Sequence, residues 1–177
     1  MDTRWLFSLI ASSWLLLSTA TAADTAASYQ LGPGDTFRIQ VYGEDDLSMD
    51  VMLHNSGKFD YPYLGELDAR GQTTAQLQAL LTEQLRGDYL VNPKVMVSIV
   101  TFRQIYVNGE VNKPGGYPYQ PGLTIDKAVA LAGGFTERAA KENIMLNPDE
   151  GNNQVTQVTP KQSISPGDII VVKQSFF

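Results

Sequence analysis

The sequence contains no cysteine and only one histidine, His54. Without cysteine the chain has no disulfide bonds, no thiolate metal ligands and no thiol nucleophile, and it has no cysteine for the lipid anchor of a bacterial lipoprotein. One histidine without a cysteine partner does not supply the ligand set of a zinc site. We therefore predict no bound metal, and we expect His54 to be a surface residue beside a turn.

Positive charge is also scarce. The chain has 13 Lys and Arg against 19 Asp and Glu, which gives a formal net charge of −6 and a pI of about 4.7. A polyanion-binding surface for nucleic acid is therefore not expected. Nucleotide loops, zinc signatures and nucleophile elbows are absent, and Gly109, Gly115 and Gly116 are spaced too loosely for a dinucleotide fingerprint. We predict no cofactor and no enzymatic activity.

One acidic cluster, Glu44, Asp45 and Asp46, invites a catalytic interpretation. General acid and base catalysis on a glycosidic bond needs two carboxyl groups held apart, in environments that shift their pKa values in opposite directions. Adjacent acids in a turn do not provide that geometry. We interpret the cluster as a solvated turn and keep an enzyme acting on polysaccharide as the third hypothesis.

Long apolar runs are confined to the N-terminus. A short positively charged head precedes the apolar run Trp5 to Leu17, and small residues follow at Ala20 and Ala22. This pattern predicts a signal peptide over residues 1–22, cleaved after Ala22, with a flexible leader at 23–28. The run is shorter than the roughly 20 apolar residues of a spanning helix. We expect an exported chain that does not cross the membrane by itself.

The first half of the mature chain carries strand signals and one helix signal. Alternation of apolar and polar residues predicts strands at Thr36 to Tyr42, Met49 to Leu53, Phe59 to Tyr63 and Lys94 to Thr101, with a hairpin joining the second and third. Capping-box spacing at Thr73 to Gln76 and a leucine stripe predict a helix that ends near Gly87. The pattern indicates an α+β domain.

The second half is organised around Gln104 to Gly134. We predict a strand at Gln104 to Val107, a Gly-Glu turn, a helix capped by Thr124, and a left-handed helix end at Gly133 and Gly134. Tyr61 to Gly87 is similar to a weaker copy of this α+β unit, because both contain Gly-Glu followed by an apolar residue.

Further elements are expected after this unit. We predict a short second helix at Phe135 to Lys141 with Thr136 as its cap, and then strands at Ile144 to Leu146, Val155 to Val158 and Ile169 to Val172. A Pro-Gly-Asp turn leads into a strand twice, at Pro33 and at Pro166. We interpret both turns as structural.

Four long segments carry a resemblance: YQLGPGDTFRIQVYGEDDLS, GKFDYPYLGEL, YLVNPKVMVSI and YVNGEVNKPGGYPYQPGLTIDKAVALAGGFTERA. They resemble the outer-membrane polysaccharide export family of the Wza type. The resemblance runs from Tyr29 to Phe177 and corresponds to a short form of the family. It implies an export domain at 29–101, with a mixed or antiparallel sheet and one helix, followed by one soluble-ligand-binding β-grasp (SLBB) domain at 102–177.

This resemblance implies a function without bond chemistry. Family members form a ring of identical subunits in the periplasm, at the outer membrane of Gram-negative bacteria, and a capsular or exopolysaccharide passes through the lumen. The implied partners are further copies of the chain, an inner-membrane polysaccharide copolymerase, the polysaccharide, and a separate outer-membrane β-barrel porin. The sequence departs from long members because it lacks the lipidation cysteine, further β-grasp repeats and the C-terminal amphipathic helix. The alternative is a soluble periplasmic carbohydrate-binding module, or an adaptor to the porin.

Tyrosines near glycine and proline are the candidate contact residues. Tyr61, Tyr63, Tyr106, Tyr117 and Tyr119 lie in such segments. A ring with a polar tip suits contacts with sugars or proteins, although tyrosines in strands are more often half-buried packing residues.

The loop after the first β-grasp strand is the predicted site. We expect polymer or subunit contacts from Glu110, Asn112, Lys113, Tyr117 and Tyr119.

Overall fold

The computed structural model describes residues 29–149 and 155–175. The predicted signal peptide and leader lie outside the described residues, as does part of the loop before Val155. The described residues form two sets of strands, each with one helix and its own buried hydrophobic cluster. This architecture confirms the α+β prediction.

The first set is built on an antiparallel sheet with the strand order β2-β1-β5 and a separate β3-β4 hairpin. Its elements are β1 (Thr36–Val41), β2 (Met49–Met52), β3 (Lys58–Tyr61), β4 (Gly65–Asp68), α1 (Thr74–Leu85) and β5 (Val95–Thr101). Alternation along β1 turns Phe37, Ile39 and Val41 into the core and leaves Arg38 and Gln40 exposed.

Helix α1 forms as the sequence predicts. The amide of Gln76 donates to the Thr73 hydroxyl at 3.2 Å, and the amide of Thr73 donates to the Gln76 side chain at 2.9 Å, which completes the capping box. Leu77, Leu81 and Leu85 are fully buried at i, i+4 and i+8, so one face of the helix packs into the first core.

The second set is a mixed five-stranded sheet with the strand order β7-β6-β10-β8-β9. Its elements are β6 (Ile105–Gly109), β7 (Gly115–Tyr117), α2 (Ile125–Leu131), β8 (Ala139–Asn147), β9 (Thr156–Val158) and β10 (Ile169–Gln174). Strand β10 lies between β6, to which it is parallel, and β8, to which it is antiparallel. Helix α2 buries Ile125, Ala128 and Val129 in the second core.

The hairpin predicted between the second and third strands is wrong. Strand β2 pairs with β1, whereas β3 pairs with β4 across a tight turn that begins at Pro62. Tyr63 therefore lies in the turn and not in a strand, with a positive φ of 65°. Tyr61 ends β3 as a buried residue whose hydroxyl donates to the Leu47 carbonyl at 2.8 Å, and burial raises its pKa to about 12.

The helix predicted at Phe135 to Lys141 is also wrong, because strand β8 begins at Ala139. Tertiary pairing overrides the local cap signal here. Phe135 forms an antiparallel bridge with Val111, and the amide of Thr136 donates to the Glu110 carbonyl at 3.1 Å. The Thr136 hydroxyl binds the Glu110 carboxylate at 2.6 Å and caps no helix.

Thr124 occupies the N-cap position of α2, but its hydroxyl bonds to the Asp126 carboxylate and not to the helix backbone. The amides of Ile125 and Asp126 donate instead to the carbonyls of Gln162 and Pro160, at 3.1 and 2.9 Å. The first turn is thus capped by a remote loop. Gly133 has the left-handed backbone that was predicted for the helix end.

The two proposed copies share only their order of elements, which is strand, strand and helix. Gly65 and Glu66 open the second strand of their hairpin, whereas Gly109 ends the first strand and Glu110 leaves it. The common Gly-Glu pair therefore occupies different places in the two units. Among the described residues, no helix has the length and hydropathy needed to cross a membrane.

Candidate functional site

The loop that follows β6 brings three of the predicted site residues together. Backbone amides of Asn112 and Lys113 donate to the Gly134 and Ala132 carbonyls at 3.0 and 2.8 Å, and the Asn112 side chain donates to the Gly133 carbonyl at 2.7 Å. The Glu110 side chain, as described above, holds Thr136. Glu110 and Asn112 thus tie the loop to the end of α2, and the Lys113 side chain is exposed.

The two tyrosines among the predicted site residues lie in different places. The Tyr117 hydroxyl donates to the Lys113 carbonyl, so this half-buried ring supports the same loop. Tyr119 contacts Phe102 edge-on, with ring centroids 5.3 Å apart. Four of the five residues therefore form one loop cluster, and Tyr119 belongs to a different feature.

That feature is a cleft of about 470 Å³ where the two sets of strands meet. Five segments contribute its walls: the N-terminal residues 29–30, residues 102–103 after β5, residues 119–121 before α2, residues 146–148 at the end of β8, and residues 162–168 before β10. Its lining residues are Tyr29, Gln30, Phe102, Arg103, Tyr119, Pro121, Leu146, Pro148, Gln162, Ser163, Ser165, Pro166 and Asp168. Among the predicted site residues only Tyr119 lines it.

One lining residue, Arg103, belongs to a buried ion pair with Asp35. The Asp35 carboxylate accepts hydrogen bonds from the Arg103 amide at 2.7 Å and from the Arg103 guanidinium at 3.1 Å. It also accepts from the Tyr29 hydroxyl at 2.6 Å and the Gly32 amide at 2.8 Å. Asp35 is 0% exposed and Arg103 is 8% exposed. A buried carboxylate needs such donors to offset the loss of its contacts with water.

The guanidinium of Arg103 has further neighbours. Its Nε lies 2.9 Å from a carboxylate oxygen of Asp149, one terminal nitrogen donates to the Tyr29 hydroxyl at 2.7 Å, and the group lies 5.5 Å from the centre of the Tyr29 ring. Arg103 therefore connects the turn at residues 29–35, which holds Tyr29 and Asp35, to Asp149 in the loop that follows β8.

The two Pro-Gly-Asp turns are equivalent. The second lines the cleft through Pro166 and Asp168, whereas the first meets it only through the bonds between Asp35 and the lining residue Arg103. In each, the aspartate carboxylate accepts from the amide three residues earlier, Gly32 for Asp35 and Ser165 for Asp168, both at 2.8 Å. From the sequence these turns were predicted to be structural, and Asp35, Arg103 and Asp168 were not predicted as cleft residues. The repeated turn was the only signal available for two of them.

Burial raises the pKa of Asp168 above its ordinary value of 3.8, and backbone hydrogen bonds from Ser165 and Asp149 oppose the shift. A raised pKa means that the folded protein holds this proton at a pH where the unfolded chain has released it. The quantity to compare is the free energy of unfolding of wild type minus that of Asp168→Asn. We expect this difference to fall as the pH rises from about 3.8 toward the raised pKa. Urea titrations across that range measure the difference.

Asp50 provides a control of opposite sign. Its pKa is lowered by the hydrogen bond from Arg38. The wild-type stability relative to Asp50→Asn should therefore rise with pH in the acid range. Parallel slopes for the two variants would contradict the assignment of the Asp168 shift to burial.

Outside the cleft, the outward face of the β2-β1-β5 sheet exposes four large apolar side chains among polar ones. It exposes Tyr42 (81%), Met52 (58%), Met96 (53%) and Val100 (50%) around the ion pair between Arg38 and Asp50. We call these four residues the apolar sheet face.

Most of the chain is similar to known proteins. A family model described as polysaccharide biosynthesis/export protein matches residues 23–100, and an SLBB domain model matches residues 104–159. The chain is 30% identical over 141 residues to the exopolysaccharide production protein ExoF of Rhizobium meliloti (strain 1021), covering 73% of this chain and 34% of ExoF. It is 28% identical over 109 residues to the polysialic acid transport protein KpsD of Escherichia coli, covering 57% of this chain and 20% of KpsD.

The alignments thus span about a third of ExoF and a fifth of KpsD. The two family matches occur in the order that the sequence resemblance implies, on a fold with an antiparallel first sheet and a mixed second sheet. The chain belongs to the polysaccharide export proteins of the Wza type.

Proposed function

We propose that the protein is a non-catalytic subunit of a translocon that exports capsular or exopolysaccharide, located in the periplasm at the outer membrane of a Gram-negative bacterium. Copies of the chain form or complete a ring-like passage for the polymer. The observation that carries this proposal is the export and SLBB domain pair, whose relatives are named for exopolysaccharide production and polysialic acid transport.

The apolar sheet face supports self-association. A closed ring needs heterologous contacts, in which one patch of a subunit meets a different patch of its neighbour. The sheet face offers one such patch. A second exposed aromatic group lies on the same half of the chain, where Tyr63 and Tyr89 stack with ring centroids 5.3 Å apart. Two separate apolar patches suit a heterologous contact better than a two-fold one.

The other partners follow from the direction of transport. Polymer made at the inner membrane must be delivered to the ring, which is the role we assign to an inner-membrane copolymerase. It must then cross the outer membrane, and a separate β-barrel porin is the proposed exit. The loop cluster of Glu110, Asn112, Lys113 and Tyr117 is the proposed contact surface toward the polymer or a neighbouring subunit.

The cleft favours a second candidate function, that of a periplasmic carbohydrate-binding module or an adaptor to the porin. A lone subunit would then bind saccharide without forming a ring. Aromatic and hydrogen-bonding side chains that converge in a concave site at a domain boundary are typical of ligand sites.

The native mass of the chain without residues 1–22 separates these candidates. We expect light scattering after size-exclusion chromatography to show an oligomer of defined size, and Met96→Lys to shift it toward monomer, because burying an unpaired ammonium group in an apolar contact is unfavourable. Leu131→Lys is the matched control, since Leu131 is similarly exposed (49%) on α2. It should leave the mass unchanged.

A secretion assay extends the test to cells. In a deletion strain, the wild-type gene should restore surface polysaccharide, and Met96→Lys should restore less than Leu131→Lys. A chain that is monomeric at every concentration, with full secretion by Met96→Lys, would contradict the ring and favour the module or adaptor.

A further inference from the structure

We propose that the cleft is a saccharide site and that it takes an uncharged pyranose unit, not a uronic or sialic acid. This proposal rests on the proposed function only for the choice of saccharide as the class of ligand. It differs from the sequence prediction, which placed polymer contacts on the loop after β6.

One wall of the cleft is aromatic. Tyr29, Phe102 and Tyr119 stand in series, each ring edge-on to the next, with centroids 5.0 and 5.3 Å apart. All three rings are partly exposed and line the cavity. The apolar C–H face of a pyranose packs on such rings, while its hydroxyl groups remain free for hydrogen bonds.

Other lining residues supply hydrogen-bonding groups. Gln30, Gln162, Ser163 and Ser165 line the cleft and are exposed. In the part of the chain that the structure describes, no hydrogen bond engages their side-chain amide or hydroxyl groups. Amides and hydroxyls both donate and accept, as sugar hydroxyl groups do. The volume of about 470 Å³ lies within the usual range of small-ligand sites.

Charge determines which sugars fit. Asp35 and Asp149 lie within 3.1 Å of the Arg103 guanidinium and neutralise it. Asp168 lines the cleft at 5% exposure, with hydrogen bonds from two backbone amides and none from a cation among the described residues. A ligand carboxylate would therefore meet a negative wall and no available cation, and like charges at short range repel.

The experiment titrates the chain without residues 1–22, labelled with ¹⁵N, with four oligosaccharides of defined length. Two are neutral, maltoheptaose and cellohexaose, and two are acidic, oligogalacturonate and oligosialic acid. We expect at least one neutral oligosaccharide to shift the amide signals of Gln162, Ser163 and Ser165, and the acidic ones to leave them unchanged.

Variants locate the site. Tyr119→Ala should weaken neutral binding about tenfold through loss of the ring contact, and Tyr119→Phe should retain it. Tyr106→Ala is the matched control, because Tyr106 is an exposed tyrosine (46%) on β6 that does not line the cleft. Asp168→Asn should allow oligogalacturonate to bind.

Two results would overturn the proposal: no shift in the cleft with either neutral oligosaccharide, or acidic binding as tight as neutral binding. The outcome is separable from that of the proposed function. A chain that binds sugar but stays monomeric would refute the ring alone, and a chain that assembles without binding sugar would refute this site alone.

Discussion

Replacing Asp35 with alanine should lower the free energy of unfolding by about 3–5 kcal/mol, the usual loss when one partner of a buried ion pair is removed. The Asp35 carboxylate accepts four hydrogen bonds, two of them from Arg103. Alanine would leave the Arg103 amide and guanidinium without this acceptor in a buried position. Urea denaturation followed by circular dichroism at 222 nm measures the change.

Asp50→Ala is the matched control. Asp50 also pairs with an arginine, Arg38 at 2.6 Å, but both side chains are about half exposed. Exposed ion pairs contribute little to stability, so the denaturation midpoint should be close to that of wild type. Equal midpoints for the Asp35 and Asp50 variants would contradict a stabilising role for the buried pair.

A double variant tests the pair more closely. Arg103→Met combined with Asp35→Ala should lose less stability than the sum of the two single changes, because neither charge is then left buried alone. Strict additivity would mean that each residue acts through its other contacts.

Replacing Gly109 with alanine is the second change with a large expected effect. Gly109 has a φ of 86°, and a Cβ placed there would overlap the Val172 carbonyl oxygen on β10. A left-handed backbone costs an L-residue about 1–2 kcal/mol, and the clash adds about 1–3 kcal/mol. We therefore expect a loss of about 2–5 kcal/mol, together with faster hydrogen exchange in β6 and β10.

Gly122 supplies the comparison. It has a similar φ of 81°, and no atom lies within 4 Å of the position that a Cβ would take there. Gly122→Ala should cost only the backbone term, about 1–2 kcal/mol. If both alanine variants lose the same stability, the close approach of β6 to β10 is not the reason for glycine at 109.

Local sequence patterns correctly predicted the strands with clear apolar–polar alternation and the helix with a complete capping box. The alternation in β1 and β5 and the capping box of α1 identified the first sheet and its helix. The pattern failed where distant contacts decide the structure. Thr136 resembles a helix cap, but the side chain and the backbone of Glu110 hold it in a loop.

Tyr63 shows a second kind of failure. The alternation from Phe59 predicts a strand residue, yet the chain turns after Tyr61 and Tyr63 takes a positive φ. Pro62 was the available signal, because it favours the second position of a tight turn. A tyrosine rarely occupies the following position, which needs a positive φ. The apolar alternation therefore predicted a strand at Tyr63 where the chain turns.

The cleft could not be predicted from one sequence. Asp35 and Arg103 are 68 positions apart, and Asp168 lies farther along still. The repeated Pro-Gly-Asp turn marks Asp35 and Asp168 but not their partner, and the pairing of β1 with β5 and of β10 with β6 brings the three residues together. The sequence predicted Tyr119 as a contact residue together with the loop after β6, and the structure places its ring in the cleft lining, against Phe102.

The position of β10 imposes an order on folding. The hairpin β6-β7 and the pair β8-β9 are both synthesised before β10, but neither pairs with the other, since β10 lies between them. The parallel contact of β10 with β6 also joins segments far apart in sequence, and such pairings form slowly. The second sheet therefore stays open until residues 169–174 are available, so a chain that lacks this strand would leave β6 and β8 without their shared neighbour.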